Sequence, residues 1–507
     1  MASDNPNLYA HFQAVFRSRA EREALRTPDE TSLSFGDLDA GSARVASYLR
    51  SLGIAPGQRV SVQVEKTPES LLLYLACLRA GLVYHPLNTG YTADELRYFL
   101  GNAEPALVVC DPAAEASMRE LAAAAGVAHV LTLDAAGRGS LSDGARGRDP
   151  DAGVTAVAAD DLAALLYSSG TTGVPKGVML SHANLLSNTR TLVQAWGFTD
   201  RDRLLHALPI FHVHGLFVAI GCALLSGASM RWLPRFAAAD VLRYLPECTV
   251  LMGVPTFYTR LLVEPGFNSG SCANMRLFVS GSAPLLPETF AEFEARSGHR
   301  ILERYGMTET NMNASNPLEG ERKPGTVGPP LPGVELRVVD DAGELLPQGE
   351  IGNLQVRGPN VFRGYWRMPE KTAEDFTADG YFNTGDKASI DADGYVAIVG
   401  RSKDMVITGG LNVYPKEVEL VIDRLPGVRE SAVIGAPHPD FGEAVVAVVV
   451  PAPGARPDEA SIIAGLKNSL AAFKLPKRVL VVDELPRNTM AKVQKNLLRD
   501  RYRDLFR

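Results

Sequence analysis

The chain has 507 residues, of which 51 are Lys or Arg and 58 are Asp or Glu, so its formal net charge is −7. A composition of 46% hydrophobic and 21% charged residues is ordinary for a globular protein and excludes a disordered or coiled-coil chain, and at roughly 150 residues per domain the length predicts about three structural units. The acidic balance argues against a nucleic-acid-binding surface, and the five cysteines lack the CxxC spacing of a zinc site.

Neither end of the chain nor its apolar segments indicate export or membrane insertion. The first twenty residues mix acidic and basic side chains and lack the apolar region of a signal peptide. The longest apolar stretches, such as 162–167 and 445–451, have the length of strands and fall short of the ~20 residues that cross a bilayer. The sequence therefore predicts a cytoplasmic protein, and its scattered cysteines fit a reducing compartment.

From about Ser32 to about residue 330 the sequence alternates short β-branched runs with helical patterns. This alternation is typical of βαβ units and a mainly parallel sheet, so two α/β subdomains are predicted. The predicted strands lie at 59–65, 106–110, 162–169, 206–209, 250–255 and 277–284, and the predicted helices at 68–81, 93–103 and 183–197.

After Pro329 the pattern changes to alternating apolar residues separated by Gly and Pro, which predicts a small β-subdomain. Residues 334–366 and the hairpin 391–401 belong to it, and the last hundred residues read as a compact α+β unit. We therefore predict an α/β protein with an N-terminal region 1–400, made of two α/β subdomains and a β-subdomain from about 330, followed by a small mobile α+β domain at 401–507.

The most informative segment is YSSGTTGVPKG at 167–177, which follows a strand pattern and precedes a helical one. Its glycines permit close backbone approach, its hydroxyls and N–H groups can surround phosphate oxygens, and Lys176 adds a mobile cation. The Walker A spacing is absent, which disfavours a P-loop kinase or ATPase. A flexible surface turn is the alternative, but so many hydroxyls and glycines at a strand end favour a phosphate-binding loop.

The segment SSGTTGVPKG resembles the phosphate loop of the AMP-forming acyl-adenylating superfamily, which includes acyl-CoA synthetases. Six blocks occur in the family's order, which makes a chance match negligible. The resemblance implies that ATP and Mg²⁺ convert a carboxylic acid into an acyl-adenylate and that the thiol of coenzyme A then displaces AMP. The further blocks are YGMTE at 305–309, GTVG at 325–328, YFNTGD at 381–386, GRSKD at 400–404 and PRNTMAKVQK at 486–495.

The resemblance also implies a role for each residue of these blocks. Thr308 would contact the α-phosphate, and Glu309 would hold Mg²⁺, a hard ion that prefers oxygen ligands. Tyr305 would stack on adenine, while Asp386 and Arg401 would bind the ribose hydroxyls. The complete implied ATP-binding set is Ser168, Ser169, Gly170, Thr171, Thr172, Gly173, Lys176, Ser282, Ala283, Pro284, Glu303, Arg304, Tyr305, Gly306, Met307, Asp386 and Arg401.

Lys492 resembles the family's catalytic lysine, which bridges the substrate carboxylate and the α-phosphate. Ala491 stands where the family usually has glycine, and alanine adopts positive φ less readily. In related bacterial enzymes the same pattern is recognised by a lysine acetyltransferase, and Ala491 leaves that partner open. The family rotates its C-terminal domain about a hinge that maps to Lys403, after which Thr408, Gly409 and Gly410 would line the tunnel for the thiol.

Three polar residues are unusual for a pocket that binds an apolar acid: His212, Arg260 and Ser282. A buried arginine is costly unless it is paired, and a second carboxylate on the substrate would pair it. The surrounding segments resemble the malonyl-CoA synthetase subgroup, in which a His, an Arg and a Ser hold the distal carboxylate of malonate. The same resemblance implies that His212 is also a catalytic residue. Taken singly, the three residues have ordinary readings as a core histidine, a surface arginine and a turn hydroxyl.

The sequence thus predicts ligation of malonate to coenzyme A, giving malonyl-CoA, AMP and pyrophosphate. A methyl group is worth only about 1 to 3 kcal/mol of discrimination, so methylmalonate stays open. A ligase for another short-chain or aryl acid, or an adenylation enzyme that loads a carrier protein, are the alternatives, although no carrier domain precedes Arg507. A silent nucleotide-binding regulator would lack Lys492, Glu309 or Asp386, and all three are present.

Overall fold

A computed structural model describes residues 5–150, 153–168, 175–401, 404–408, 411–439, 441–467, 469–470, 472–488 and 491–506. Strands and helices alternate over the first third of the chain, as the sequence predicts. The elements are α1 Leu8–Ser18, β1 Glu23–Arg26, β2 Ser32–Ser34, α2 Phe35–Ser51, β3 Arg59–Gln63, α3 Pro68–Arg79, β4 Val83–Pro86, α4 Ala93–Ala103, β5 Leu107–Cys110, α5 Glu115–Ala124, β6 His129–Thr132, α6 Ser140–Ala145, β7 Leu162–Ser168 and β8 Lys176–Ser181.

Six of these strands form a sheet in the order β6-β5-β3-β4-β7-β8. All neighbours are parallel except β7 and β8, which pair antiparallel with Ser168 opposite Lys176. The phosphate-loop segment therefore joins two strands of a hairpin, and the helix predicted at 183–197 begins only after the second of them, a strand that the sequence did not predict. The apolar positions at 178 and 180 are buried, so the segment gains more from pairing with β7 than from starting the helix early.

A second α/β unit follows. Its elements are α7 His182–Ala195, β9 Arg203–His206, a π-helical turn His214–Ala219, α8 Ile220–Ser226, β10 Ser229–Trp232, α9 Ala238–Tyr244, β11 Val250–Gly253, α10 Pro255–Leu262, β12 Leu277–Ser280, α11 Pro287–Ser297, β13 Leu302–Met307 and β14 Asn311–Ser315. They build a sheet in the order β14-β13-β12-β11-β9-β10-β1-β2, parallel except for the pairs at its two ends. One continuous hydrophobic core joins this sheet to the first.

The rest of the chain forms two smaller sheets. The elements are β15 Glu335–Val339, β16 Gly352–Arg357, α12 Pro369–Asp375, β17 Phe382–Ile390, β18 Val396–Arg401, β19 Val406–Thr408, β20 Leu411–Val413, α13 Pro415–Ile422, β21 Val428–His438, β22 Gly442–Pro451, α14 Glu459–Leu466, β23 Arg478–Val481 and α15 Lys495–Arg501. Strands β15 to β18 are antiparallel, and β19 to β23 form a separate sheet with hydrophobic clusters of its own. The predicted boundary at 400/401 falls at the end of β18 and stays a prediction.

Candidate active site

The site lies at the carboxyl ends of β12 and β13 in the eight-stranded sheet, where open α/β sheets bind ligands. These two strands are parallel neighbours, with Ser280 opposite Glu303. The segment 282–284 follows β12, and 303–307 lies in β13. Two groups of predicted nucleotide-binding residues, far apart in sequence, are thus brought side by side.

A tight turn between β13 and β14 carries Thr308 and Glu309. The Glu309 side chain is only 5% exposed, and its Oε1 accepts a hydrogen bond of 2.7 Å from Oγ of Ser168. No Lys or Arg in the described part of the chain forms an ion pair with Glu309. A buried carboxylate that forms no ion pair within the described residues, next to the start of the phosphate loop, fits a hard metal ion that also binds phosphate oxygens.

The structure describes only the two ends of the phosphate loop. Ser168 ends β7 and Lys176 begins β8, whereas Ser169, Gly170, Thr171, Thr172 and Gly173 lie outside the described residues. The Lys176 ammonium lies 3.5 Å from a carboxylate oxygen of Asp375 and 4.1 Å above the centre of the Tyr365 ring. The ammonium is thus buried between these two partners, and its role as a mobile cation stays a prediction.

The residues predicted to bind the nucleoside come together on β13, β17 and β18. Asp386 lies directly opposite Arg401 in the pairing of β17 with β18. Oδ1 of Asp386 lies 2.7 Å from Nε of Arg401, and Oδ2 of Asp386 accepts a hydrogen bond of 2.5 Å from the Tyr305 hydroxyl. Asp386 is almost fully buried, while Arg401 is partly exposed. The carboxylate is thus held by two partners in one orientation.

Lys492 reaches the same place from the C-terminal part of the chain. Burial, together with the nearby cations Arg401 and Arg304, lowers the pKa of its ammonium to about 8 against the opposing effect of Asp386 and Glu309. A turn fixes its backbone, in which the amide of Asn488 donates to the Lys492 carbonyl at 2.9 Å. The structure therefore unites Lys492 with the nucleotide-binding residues.

The residue before this lysine has a positive φ. Ala491 has φ = 58°, in the left-handed region that costs a residue with a Cβ about 1–2 kcal/mol. This is the position at which the family usually has glycine. Ala491 thus adopts a backbone conformation that glycine takes more easily.

Two histidines and a serine line the adjoining pocket. The Ser282 hydroxyl lies 3.4 Å from Nδ1 of His214, and the His214 backbone N–H donates to Nδ1 of His212 at 3.3 Å. Burial, together with the nearby cations Lys492 and Arg304, lowers the pKa of His212 to about 3, so the imidazole is neutral. His214, which lies two residues after His212, was not among the predicted site residues.

Arg304 is the most unusual side chain of this pocket. It is 3% exposed, and its Nε and Nη2 are buried without a hydrogen-bond partner. None of the described carboxylates forms an ion pair with it, and burial lowers its pKa to about 10. The guanidinium occupies the space beside Gly281, where an added Cβ would lie 2.4 Å from its Cζ. The sequence predicted Arg304 for the nucleotide but not as an unpaired buried cation.

Arg260 differs from the expectation of a desolvated pocket residue. It lies in the last turn of α10 and is exposed. The apolar residues of this helix at 257, 258, 261 and 262 face the core, which turns position 260 away from it. Arg260 is therefore solvated in this structure, and the buried guanidinium of the pocket is that of Arg304.

The predicted elements for domain rotation and thiol binding are described only in part. Thr408 ends β19 and is buried, pairing with Leu411 and with Gly442. Lys403, Gly409 and Gly410 lie outside the described residues. Within the part of the chain that is described, no helix combines the length and apolar character needed to span a bilayer.

Comparison with known proteins gives matches along almost the whole chain. A family model described as AMP-binding enzyme matches residues 12–366, and a model described as AMP-binding enzyme C-terminal domain matches 417–492. The malonate–CoA ligase of Arabidopsis thaliana is 34% identical over 98% of this chain and 90% of its own length. The sulfoacetate–CoA ligase of Cupriavidus necator is 36% identical over 97% of this chain and 98% of its own.

Solved structures of MatB from Rhodopseudomonas palustris are similar over 99% of this chain and 100% of theirs, at 55% identity. The ATP-bound crystal structure superposes with a TM-score of 0.97 and the apo structure with 0.85. The structure thus superposes more closely on the ATP-bound form than on the apo form.

Proposed function

The chain belongs to the AMP-binding enzyme family and is an AMP-forming acid–CoA ligase, and we propose that malonate is the acid it activates. The observation that carries this proposal is the buried guanidinium of Arg304, which lacks a carboxylate partner in the described residues. The product would be malonyl-CoA, with AMP and pyrophosphate released.

The pocket around Arg304 suits an acid with a second negative charge. Two neutral imidazoles, those of His212 and His214, and the Ser282 hydroxyl supply hydrogen-bond donors next to the guanidinium. A monocarboxylate would place an apolar end against this buried cation and leave it unpaired. The distal carboxylate of malonate would pair with it, whereas Arg260 is exposed to solvent.

The remaining side chains support formation of the acyl-adenylate. We assign Lys492 to the oxygens of the reacting carboxylate and the α-phosphate, where its charge offsets the developing negative charge, and Thr308 to the α-phosphate as well. Glu309 would hold Mg²⁺, which supplies charge neutralisation at the phosphates when bound. Tyr305, Asp386 and Arg401 would hold the nucleoside, and 168–176 the phosphates.

The test compares two arginine variants in ATP–pyrophosphate exchange, with malonate and with butyrate as acids. Arg304→Met keeps much of the side-chain volume and removes the charge. Leaving the distal carboxylate unpaired in a desolvated pocket should cost about 2–5 kcal/mol, or about 30- to 5000-fold in kcat/KM for malonate. Butyrate exchange should not fall, so the ratio of the two activities should change.

Arg260→Met is the matched control, because the same charge is removed from an exposed position of the neighbouring helix. We expect it to change malonate exchange by less than about tenfold, in line with a solvated charge. The KM for ATP confirms that the nucleotide site is intact. Equal losses with malonate and butyrate in Arg304→Met would overturn the proposal.

Sulfoacetate is a second candidate acid, since it also carries two negative charges and a relative acts on it. Its tetrahedral sulfonate is larger than a planar carboxylate, so the same exchange assay with both acids separates them. Methylmalonate belongs in that panel.

A cytoplasmic location remains part of the proposal, and acetylation of Lys492 is an untested prediction.

A further inference from the structure

A lysine lies buried between the two large sheets without a carboxylate partner in the described part of the chain. Lys66, three residues after β3, is 6% exposed. Its Nζ lies 2.6 Å from Nδ1 of His206 and donates to the His206 carbonyl at 2.8 Å. The Trp232 ring centre is 4.4 Å away. A lysine is rarely this buried without an acidic partner, and among the described residues its hydrogen bonds go to one histidine.

The other nitrogen of this imidazole determines where its proton sits. Nε2 of His206 lies 3.0 Å from the carbonyl oxygen of Gly215, which can only accept. Nε2 must therefore carry the proton and donate. Burial and the neighbouring Lys66 both hold the pKa of His206 well below its usual range, so the ring is neutral and Nδ1 is an acceptor. Lys66 is its donor.

Gly215 belongs to the π-helical turn 214–219, which adjoins the acid pocket. π-helical turns often occur at functional sites. The turn packs closely on the preceding chain, because a Cβ on Gly215 would lie 2.0 Å from the Pro209 carbonyl oxygen. His214 is part of the turn, and the carbonyl of His212 accepts the Leu216 N–H at 3.0 Å. Fixing the Gly215 carbonyl therefore fixes both histidines.

We propose that Lys66 is a positioning residue for the acid pocket: its hydrogen bond to Nδ1 of His206 keeps the imidazole proton on Nε2, which holds the Gly215 carbonyl and with it His212 and His214. The inference rests on the proposed function only in naming malonate as the acid. Lys66 does not touch the substrate and acts through His206.

The first test is a double-mutant cycle in ATP–pyrophosphate exchange. Lys66→Met removes the donor, so the His206 proton can move to Nδ1. By analogy with the outer partners of metal-binding histidines, we expect KM for malonate to rise about 10- to 100-fold, with KM for ATP changed less than about twofold. His206→Gln supplies an amide donor that needs no partner to fix its proton. In the His206→Gln background, Lys66→Met should therefore raise KM for malonate only a little further.

Additive effects of Lys66→Met and His206→Gln, or equal rises in both KM values, would mean that Lys66 only joins the two sheets. Ser61→Ala is the control, because it also removes a buried donor–histidine contact, that of Ser61 Oγ with Nδ1 of His85 at 2.8 Å. It should change stability without the malonate-specific effect.

The second test reads the tautomer directly, in protein labelled with ¹⁵N at its nine histidines. The signals that vanish in His206→Gln identify His206. We expect the Nε2–H tautomer in the wild type and a shift toward Nδ1–H in Lys66→Met. An Nδ1–H tautomer in the wild type, or no change in the variant, would overturn the proposal. This test decides the role of Lys66 even if malonate proves to be the wrong acid.

Discussion

Lys492 shows at the scale of one residue how its surroundings tune the charge of the proposed catalytic lysine. Its pKa is lowered to about 8 by burial and by neighbouring cations. The lysine is charged below this pH and neutral above it, and only the charged form attracts the carboxylate and phosphate oxygens. We therefore predict that kcat/KM for ATP in the exchange reaction falls as pH rises through about 8, approaching tenfold per pH unit.

Lys492→Arg provides the matched control, because a guanidinium stays protonated throughout this range. The exchange activity of this variant should be lower at neutral pH, since a planar guanidinium replaces a compact ammonium. The fall in its activity with pH should begin at higher pH than in the wild type. The same decline in both proteins would assign the titration to another group. Lys492→Ala should show only weak exchange at every pH.

Ala491 offers a second residue-scale prediction. Its φ of 58° is unfavourable for alanine, and glycine adopts it freely. Ala491→Gly should therefore stabilise the turn that carries Lys492 by about 1 kcal/mol. Urea unfolding followed by a probe in the C-terminal region measures this. Ala491→Val is the opposite control and should lower the free energy of unfolding. A glycine variant no more stable than the wild type would contradict the idea that Ala491 is strained.

At the scale of single residues, the sequence predicts which side chains come together better than it predicts how buried each one is. Asp386, Arg401 and Lys492 come together as the motifs imply. The sequence did not predict that Arg304 would be buried without an ion-pair partner among the described residues, and it offered an exposed Arg260 only as the alternative to a pocket residue. Both depend on which side of a strand or helix meets the core, and that is decided by packing between elements distant in the chain.

At the scale of elements, a network of buried amides supports the turn that carries Glu309. Nδ2 of Asn360 donates to the Thr310 carbonyl at 2.7 Å and to Oδ1 of Asn313 at 2.9 Å. The Phe362 N–H donates to the Glu309 carbonyl at 2.8 Å. The loop after β16 thus holds the turn between β13 and β14 by hydrogen bonds that water does not reach.

Asn360→Ala would leave these acceptors unpaired in a buried place, at a cost of about 1–3 kcal/mol. We predict a lower unfolding midpoint and, because the Glu309 turn is loosened, a higher Mg²⁺ concentration for half-maximal exchange. Asn316→Ala is the control, since Asn316 is equally buried but bonds the carbonyls of Glu303 and Thr326. Equal Mg²⁺ requirements in the two variants would contradict the role of the Asn360 network.

The sequence predicted helices and strands correctly where the pattern within a segment determines its structure. It failed where pairing with a distant strand determines it. Helix α4 occupies the residues 93–103 predicted for it, with a capping box between Thr92 and Glu95. Strand β8 was missed because a short segment between a glycine-rich loop and a helix carries little periodicity of its own. Its partner β7 supplies the hydrogen bonds that make it a strand.

At the scale of the whole molecule, the C-terminal part of the chain contributes to a site built on the N-terminal part. Besides Lys492, Arg424 of this part forms an ion pair of 3.1 Å with Glu288 at the start of α11. Lys416 also acts on Glu303, opposing the burial that raises the pKa of that carboxyl to about 7. On the proposed function, Lys492 would lie against the phosphate and a thiol would have to approach the same carbonyl, so we expect the second half-reaction to need another arrangement.

The ion pairs beside Lys403 indicate where that rearrangement would occur. Arg401 is tied to Asp386 in the β15–β18 sheet, and Asp404 is tied to Arg499 of α15 at 2.7 Å. Rotation that keeps both pairs must be absorbed by the backbone between them, and proline fixes φ near −65°. We therefore predict that Lys403→Pro keeps pyrophosphate exchange and loses transfer from synthetic malonyl-adenylate to coenzyme A. Lys492→Ala should show the reverse, because its lysine serves only the arrangement seen here. If both variants lose both half-reactions equally while remaining folded, the two steps share one arrangement and Lys403 is not a hinge.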